Sequence, residues 1–305
     1  MYDLIGDIHG HCTELEVLLD ALGYQEIEDS WVHPEGRKVI FVGDYIDRGP
    51  QILETVRLVR KMVEYGNAIA LMGNHEFNAL AYHIRKADGE FCRPHTPKNR
   101  KQHGATLAQM EGHEHEFKSH LDWFLTLPLF IDFPEFRAVH AYWDQQNIDR
   151  LVEILGGNKL RSAEDIIAAS DTSTELYSLI EETLKGKEMS LPEGITFHDK
   201  DGHQRSEIRI KWWEDPANTT FHDYSVVPLE DLPHTPVTES NNYYTPEEKP
   251  VFFGHYWLTG DPVIQKPNVC CLDYSVAKGG SLVAYRLDGM EELDLTNFVT
   301  VSEAE

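Results

Sequence analysis

The chain has 305 residues, enough to bury a full hydrophobic core, and its composition of 41% hydrophobic and 26% charged residues is typical of a globular protein. Its 52 acidic residues outnumber 27 basic ones, which gives a formal net charge of −25. Because DNA and RNA are held by clustered Lys and Arg, this balance argues against a nucleic acid as the main partner. No apolar run approaches the roughly 20 residues that span a bilayer, so we expect no membrane partner either.

The beginning of the chain and its cysteines predict a cytoplasmic protein. The first apolar run begins at Tyr2 with no basic segment before it, so we expect no secretory signal. The four cysteines show no C-x-x-C spacing, and we interpret them as reduced thiols. We expect a single domain over residues 1–305, with a helical and turn-rich insertion at about 145–248.

The first quarter of the chain alternates short apolar runs with segments of helical periodicity. The runs predict strands over 2–5, 37–42 and 68–72, and the periodic segments predict helices over 15–22, 52–63 and 77–84. This βαβαβα order implies parallel strands joined by right-handed crossovers.

The rest of the chain mixes a loop, two hairpins and a group of helices. Residues 88–104 are polar and basic and contain two prolines, which predicts a mobile loop that either contacts substrate or is merely solvated. Periodicity predicts helices over 148–155, 163–169 and 174–184, followed by a turn-rich stretch over 191–248. The apolar runs predict a hairpin over 129–141, a strand over 250–256 and a closing hairpin over 268–287.

Polar residues that can bind metal recur at the ends of the predicted strands. They are Asp7 and His9, Asp44, Asn74, His140 and His255, and most of them follow a glycine. One Gly-Asp pair is usually a plain turn, but five such motifs in order are not. Because open α/β sheets bind ligands at the carboxyl ends of their strands, we expect these residues to share a site.

Carboxylate, amide and imidazole ligands without thiolates suit two divalent ions of the Mn, Fe or Zn kind. We predict Mn²⁺ as the ion that supports activity in vitro, and no organic cofactor. If six residues serve two ions, one carboxylate bridges them, and we predict that Asp44 does so. Asp7 and His9 then complete one site, and Asn74, His140 and His255 complete the other. Two ions about 3.5 to 4 Å apart lower the pKa of a shared water for in-line attack on a phosphoester.

Three neighbouring residues are predicted to act on the substrate. The guanidinium of Arg48 can bind phosphate oxygens in bidentate fashion. His75 follows a predicted ligand without being needed as one, so it can give a proton to the leaving oxygen, and Asp47 can fix its tautomer. A plain salt bridge between Asp47 and Arg48 is the structural alternative.

These motifs resemble the calcineurin-like metallophosphoesterases. The matching runs are Gly-Asp-Ile-His-Gly at 6–10, Gly-Asp-Tyr-Ile-Asp-Arg-Gly at 43–49, Gly-Asn-His-Glu at 73–76, Val-His at 139–140 and Gly-His at 254–255. Within the family the sequence is most similar to the phosphoprotein phosphatase branch, which includes bacterial serine/threonine phosphatases and symmetrical diadenosine tetraphosphatases. The resemblance implies an α/β fold, a four-layer β-sandwich of two mixed sheets flanked by helices, and it supports the metal and acid roles assigned above.

A second resemblance and several departures concern the substrate. Residues 33–50 and the run His103-Gly-Ala-Thr-Leu107 are similar to the phosphatase module of bacterial polynucleotide kinase-phosphatases, although this chain has no kinase P-loop. Where the family commonly has His-Gly-Gly and Gly-His-Thr, this chain has His-Ala-Tyr at 140–142 and Gly-His-Tyr at 254–256.

Protein phosphatases also carry a second phosphate-binding arginine after a Trp-Ser-Asp-Pro run. Here no arginine follows the similar run at 213–216 before Arg286, and Arg205 and Arg209 precede it, so the second arginine has no counterpart by position.

Three functions are compatible with these residues. The first is a phosphatase of the serine/threonine type acting on phosphomonoesters in proteins or peptides. The second is a hydrolase of dinucleoside polyphosphates or other nucleotides. The third is a non-catalytic scaffold on the same fold, which we rank last because every expected ligand and the acid histidine are present.

Overall fold

A computed structural model describes residues 1–198, 204–227, 229–238, 242–289 and 292–302. The strands in chain order are β1 (Tyr2–Ile5), β2 (Gln25–Ile27), β3 (Ser30–Val32), β4 (Lys38–Phe41), β5 (Ala68–Ala70), β6 (Phe130–Asp132), β7 (Arg137–Val139), β8 (Glu188–Ser190), β9 (Phe197–His198), β10 (Gln204–Arg205), β11 (Glu207–Arg209), β12 (Val251–Phe253), β13 (Val269–Cys271), β14 (Asp273–Tyr274), β15 (Ser281–Leu287) and β16 (Phe298–Ser302). The α-helices are α1 (Cys12–Ala21), α2 (Ile52–Glu64), α3 (Asn74–His83), α4 (Pro97–Gln109), α5 (Glu114–Phe124), α6 (Gln145–Leu155), α7 (Ala163–Ala169), α8 (Glu175–Lys185) and α9 (Phe221–Tyr224).

Two mixed sheets form the centre of the fold. The first has the order β14-β15-β1-β4-β5, with β16 also paired to β15, and its strands β1, β4 and β5 are parallel. The second has the order β13-β12-β7-β6, with only β6 antiparallel to its neighbour. In both sheets the parallel strands end at one edge, where loops carry the predicted ligands.

Alternating side chains divide the core between the two faces of each sheet. One apolar cluster contains Leu4, Ile40 and Val283 of the first sheet together with Ala138 and Phe252 of the second, so the sheets pack face to face. The neighbouring residues in each strand belong to a larger cluster that includes the apolar faces of the helices. The predicted sandwich of two mixed sheets flanked by helices is therefore confirmed.

The middle third packs onto the second sheet through aromatic side chains. The ring of Trp212 is fully buried, and its Nε1 donates to the Ala141 carbonyl at 3.1 Å. Trp213 contacts the rings of Phe253 and Tyr256. Apolar stripes of α6 and α8 pack against each other beside these rings, as the predicted helices in this region require.

The predicted loop over 88–104 is wrong in its second half, because α4 begins at Pro97. The Thr96 side chain accepts from the Asn99 N–H, and proline occupies the first turn, where its missing N–H costs nothing. Apolar periodicity does not reveal this helix, since its buried residues His103 and Thr106 are polar. α3 likewise begins three residues earlier than predicted.

The hairpin of β2 and β3 is also absent from the sequence prediction. Its turn residues Glu28 and Asp29 have positive φ angles of 49° and 67°, the backbone of a two-residue hairpin turn. That turn normally takes Asn-Gly or Asp-Gly, so the Glu-Asp pair carries little local signal. Among the described residues, no helix is long and apolar enough to cross a membrane.

Candidate active site

The structure brings the nine predicted site residues together where the parallel strands end. The six predicted ligands are buried, with at most 8% of each residue exposed. Asp7 Oδ2 accepts from the His255 backbone N–H at 3.0 Å, and Asp44 Oδ1 accepts from the His75 N–H at the same distance. The first contact joins a loop of each sheet and the second joins two loops of the first sheet, so the site lies across the sandwich.

Asp44 occupies the centre of the site. Its carboxylate belongs to two groups of side chains whose nitrogen and oxygen atoms lie within 4.8 Å of one another, one with His9 and His75 and one with His140 and His255. Burial alone raises the pKa of Asp44, but His140 and His75 outweigh it and hold the pKa well below its usual range. An ionised carboxylate shared by two groups is the arrangement that a bridging ligand needs.

Backbone and amide contacts orient the histidines of the site. His9 Nδ1 donates to the Ile46 carbonyl at 2.9 Å and His140 Nδ1 donates to the Val42 carbonyl at 2.8 Å, so each ring presents its Nε2 to the site. Asn74 Oδ1 lies 3.0 Å from His140 Nε2 and 2.9 Å from His255 Nδ1. The two backbone carbonyls hold the rings of His9 and His140 in the orientation that metal binding requires, and Asn74 Oδ1 lies among the candidate ligand atoms.

Two orphaned polar atoms indicate that cations fit this site. Asp7 Oδ1 and His9 Nε2 are buried without a hydrogen-bond partner among the described residues, which is costly unless an ion contacts them. Burial, followed by the charges of Asp273 and Asp44, raises the pKa of Asp7 well above its usual range. Divalent ions would relieve this repulsion.

Asp7 departs from the expected grouping. The described ligand atoms within 4.8 Å of His9 and Asp44 come from His75, not Asp7. Asp7 still faces the same site, because its free Oδ1 and the repulsion from Asp44 place its carboxylate beside the others.

Glycines leave the room that the carboxylates occupy. A Cβ at Gly254 would lie 2.0 Å from Asp7 Oδ1, and one at Gly73 would lie 2.2 Å from Asp44 Oδ1. No side chain can be accommodated at these distances, so the glycines that precede His255 and Asn74 are required sterically.

The backbone of the site is held in an unusual conformation. His9, Asp44, Asp47, Arg48 and His255 all have φ between 48° and 74°, a region that side-chain-bearing residues rarely occupy. The buried carboxylate of Glu76 supports the turn, since it accepts from the N–H groups of Gly73, Asp44 and Tyr45 at 2.9–3.0 Å. Sequence reasoning quoted Glu76 as part of a motif but assigned it no role.

His75 and Asp47 form the predicted pair. His75 Nδ1 lies 2.6 Å from Asp47 Oδ2, and its Nε2 lies 3.9 Å from Asp44 Oδ2. Burial lowers the pKa of His75, but the Asp44 charge and the hydrogen bond to Asp47 outweigh it and raise the pKa. The geometry therefore leaves Nε2 facing the metal-ligand cluster, where a proton can be given to a substrate oxygen.

Arg48 lies at the mouth of the site and stacks on an aromatic ring. Its guanidinium carbon lies 4.0 Å from the centroid of the Trp257 ring, which also stacks on His9. Among the described residues, Arg48 makes no ion pair with Asp47, whose carboxylate contacts His75, His103 and Thr106 instead. Sequence reasoning missed Trp257, which follows the Gly-His motif by two residues.

Arg209 supplies a cation that its position in the sequence did not reveal. Its Nη1 lies 3.1 Å from His255 Nε2, and its Nη2 donates to Glu188 at 3.1 Å. Burial, followed by the Arg209 charge, lowers the pKa of His255 well below its usual range. β11 therefore places an arginine beside the predicted ligand His255.

A cleft of about 640 Å³ extends from these residues and is rich in cations. Six basic side chains line it, namely Arg48, Arg93, Lys98, Lys185, Arg205 and Arg209. Among the residues that the structure describes, only three carboxylates do so, those of Asp47, Glu181 and Glu188. This excess of positive charge reverses the balance of the whole chain, in which acids outnumber bases 52 to 27.

Comparisons with known proteins agree with the geometry of the site. Residues 2–269 match the family described as calcineurin-like phosphoesterase. Over 145 residues the chain is 35% identical to an asymmetrical bis(5'-nucleosyl)-tetraphosphatase from Halalkalibacterium halodurans, a match that covers 45% of this chain and 54% of the relative. The chain thus spans about half the length of that relative, and a smaller share of several others with the same name.

Two further likenesses extend over nearly the whole chain. Over 300 residues it is 26% identical to a symmetrical bis(5'-nucleosyl)-tetraphosphatase from Marinomonas sp., with 94% of each chain covered. The solved structure of a serine/threonine protein phosphatase from Saccharomyces cerevisiae superposes with a TM-score of 0.51 at 14% identity, covering 99% of this chain and 78% of the other. At that identity the second likeness concerns the fold alone.

Proposed function

Because the chain belongs to the calcineurin-like phosphoesterase family, we propose that it is a metal-dependent hydrolase of dinucleoside polyphosphates or closely related nucleotides. The family supports the reaction class, which is hydrolysis of a phosphoester or phosphoanhydride bond with divalent ions. The choice of substrate rests on the cationic cleft and is supported by the tetraphosphatase names of the relatives.

The cleft carries this proposal because its positive charge extends beyond what one phosphate needs. A phosphoserine or phosphothreonine presents a single dianionic group, which the ions and one or two arginines neutralise. Arg93 and Lys98 also line the cleft and make no ion pair among the described residues. A chain of four phosphates carries charge along its length, and cations spaced along a cleft suit it. The ring of Tyr177 adds an aromatic surface suited to a base.

The ligand residues have separate proposed tasks. Asp44 would be shared between two ions, Asp7 and His9 would hold one, and Asn74, His140 and His255 would hold the other. When bound, the ions supply Lewis acidity and positive charge at the phosphoryl group, and we propose Mn²⁺ as the ion that supports activity in vitro. Arg48 and Arg209 bind the non-bridging oxygens, and His75 donates a proton from Nε2 to the leaving oxygen.

A substrate panel tests the proposed function. With Mn²⁺ present, we expect kcat/KM for diadenosine tetraphosphate to exceed that for phosphoserine, phosphothreonine and phosphotyrosine peptides by about tenfold or more, a difference of about 1.4 kcal/mol in transition-state binding. The products, two ADP or AMP with ATP, identify the bond that is cleaved. A preference for the phosphopeptides would replace this proposal with protein dephosphorylation.

Arg209 offers a sharper test of the phosphate contact. Hydrogen bonds to charged groups contribute about 1.5–3 kcal/mol, so we expect Arg209→Ala to lower kcat/KM by about 10- to 100-fold. Arg209→Lys should recover only part of the loss, since an ammonium cannot bind two oxygens in the same plane. Arg150→Ala removes an exposed arginine that pairs with Glu175 and serves as the control. A wild-type kcat/KM for Arg209→Ala would mean that Arg209 does not bind the phosphate.

A further inference from the structure

Asp47 contacts two side chains of α4 besides the proposed acid. Its Oδ1 lies 2.8 Å from His103 Nδ1 and accepts from Thr106 Oγ1 at 2.5 Å, while its Oδ2 faces His75 Nδ1. The Asp47 backbone N–H donates to the same Thr106 oxygen at 3.0 Å. Side chains of α4 therefore hold the Oδ1 atom and the backbone N–H of Asp47, and His75 contacts its Oδ2 atom.

The sequence places these two partners on one face of the helix. His103 and Thr106 are three residues apart, a spacing that puts both side chains on the same side of an α-helix. They are also its two buried residues. The His103 ring also lies near those of Tyr82 and Phe117, but its Nδ1 and the Thr106 hydroxyl are directed to Asp47.

The contacts act on a carboxylate whose backbone is strained. Asp47 has a φ of 66°, a backbone conformation that strains a residue with a side chain and requires support from its surroundings. The Thr106 hydroxyl closes a ring with both the N–H and the carboxylate of Asp47, and His103 holds the same oxygen from the other side. Without these contacts, the Oδ2 atom would not be restricted to the position opposite His75.

We propose that His103 and Thr106 are positioning residues for proton donation, which they serve by fixing Asp47 so that its Oδ2 holds His75 Nδ1 and directs Nε2 toward the substrate. Neither residue touches the substrate. The inference rests on the proposed hydrolysis only in taking His75 as the proton donor. It assigns a function to a helix that the apolar pattern of the sequence does not predict.

The test compares substrates that differ in their need for an acid. An alkyl phosphate such as a phosphoserine peptide releases an alkoxide that must be protonated, whereas p-nitrophenyl phosphate releases a stable anion. We expect His103→Leu to lower kcat/KM for the alkyl phosphate about tenfold or more relative to p-nitrophenyl phosphate, a part of the 10²- to 10⁴-fold that a general acid supplies.

Conservative variants separate the hydrogen bond from the mere presence of a buried side chain. His103→Asn keeps a donor nitrogen at the position of Nδ1 and should restore most of the substrate ratio. Thr106→Ser should likewise keep the ratio, and Thr106→Val, which preserves shape but removes the hydroxyl, should lower it. His120→Leu removes another buried histidine, on α5 and away from Asp47, and should leave the ratio unchanged.

A double-mutant cycle decides whether the effect passes through His75. In a His75→Ala background the acid is gone, so His103→Leu should cause no further loss of the substrate ratio. Additive losses, or equal losses on both substrates from His103→Leu alone, would mean that α4 supports the fold or the metal site rather than the acid, and would overturn the proposal.

A spectroscopic readout keeps the inference independent of the proposed function. In the Zn²⁺-loaded protein, the proton between His75 Nδ1 and Asp47 should give a downfield NMR resonance that His103→Leu shifts or broadens and His103→Asn retains. If the wild-type enzyme hydrolyses neither diadenosine tetraphosphate nor these two phosphomonoesters, the proposed function fails, but this resonance still tests the positioning. A resonance that does not change in His103→Leu or in Thr106→Val would overturn it.

Discussion

Asp44→Asn is expected to reduce the metal content of the protein from two ions per chain to fewer than one. Asp44 is the only described residue shared by the two groups of potential ligands at this site, so weakening it affects both at once. Replacing an outer partner of a metal ligand costs about 10- to 100-fold in affinity or activity, and the loss of a shared carboxylate should exceed that. We expect kcat/KM to fall by about 10³-fold or more, equivalent to about 4 kcal/mol.

Elemental analysis of protein freed of loosely bound metal measures the first effect, and steady-state kinetics measures the second. His9→Ala should lower the occupancy of one site only, because His9 belongs to one group. Asp144→Asn is a matched control, since Asp144 caps α6 outside the metal-ligand cluster and asparagine caps a helix as well as aspartate does. Full activity of Asp44→Asn, or of the wild type in excess chelator, would exclude the two-metal site.

His75→Ala is expected to cost about 10²- to 10⁴-fold in kcat/KM for an alkyl phosphate and much less for p-nitrophenyl phosphate. The physical reason is that an alkoxide leaves only when it is protonated, while a nitrophenolate is stable as an anion. Asp47→Asn should show a smaller loss in the same direction, because the imidazole remains but its tautomer is no longer held by a carboxylate. The ratio of the two substrates in each variant measures the effect as transition-state stabilisation.

The structure makes the metal content of His75→Ala a necessary measurement. His75 lies within 4.8 Å of His9 and Asp44 through their ligand atoms, and the His9 and His75 rings are 4.7 Å apart. If His75 held an ion, its loss would lower the metal content and reduce the activity on both substrates equally. Unchanged metal content with a substrate-dependent loss is the result that identifies the acid.

The substrate class that the sequence favours differs from the one that the structure favours. The order of the motifs favoured a protein phosphatase, because the phosphate-binding residues nearest to the metal ligands are shared with that branch. The cleft beyond them is visible only in three dimensions, since its cations come from the segment before α4, from the first turn of α4, from α8 and from β10 and β11. Their positive charge supports the nucleotide alternative.

Local patterns in the sequence were sufficient to predict the framework of this protein. β1 over 2–5 and α7 over 163–169 have the predicted bounds, because apolar alternation and helical spacing depend only on neighbouring residues. The candidate ligands could also be predicted from local patterns, since each follows a short apolar strand at the edge where parallel strands end. Glycine before Asn74 and His255 was a further local signal, and the structure supplies its steric reason.

Contacts between distant segments were decided by the tertiary structure. Arg209 reaches His255 across 46 residues, and His103 reaches Asp47 across 56. Contacts over such separations in the sequence leave no periodic pattern, because two distant segments meet according to how whole sheets and helices pack. α4 was missed for the same reason: its buried face is polar, and those side chains are satisfied by a carboxylate on another loop rather than by an apolar core.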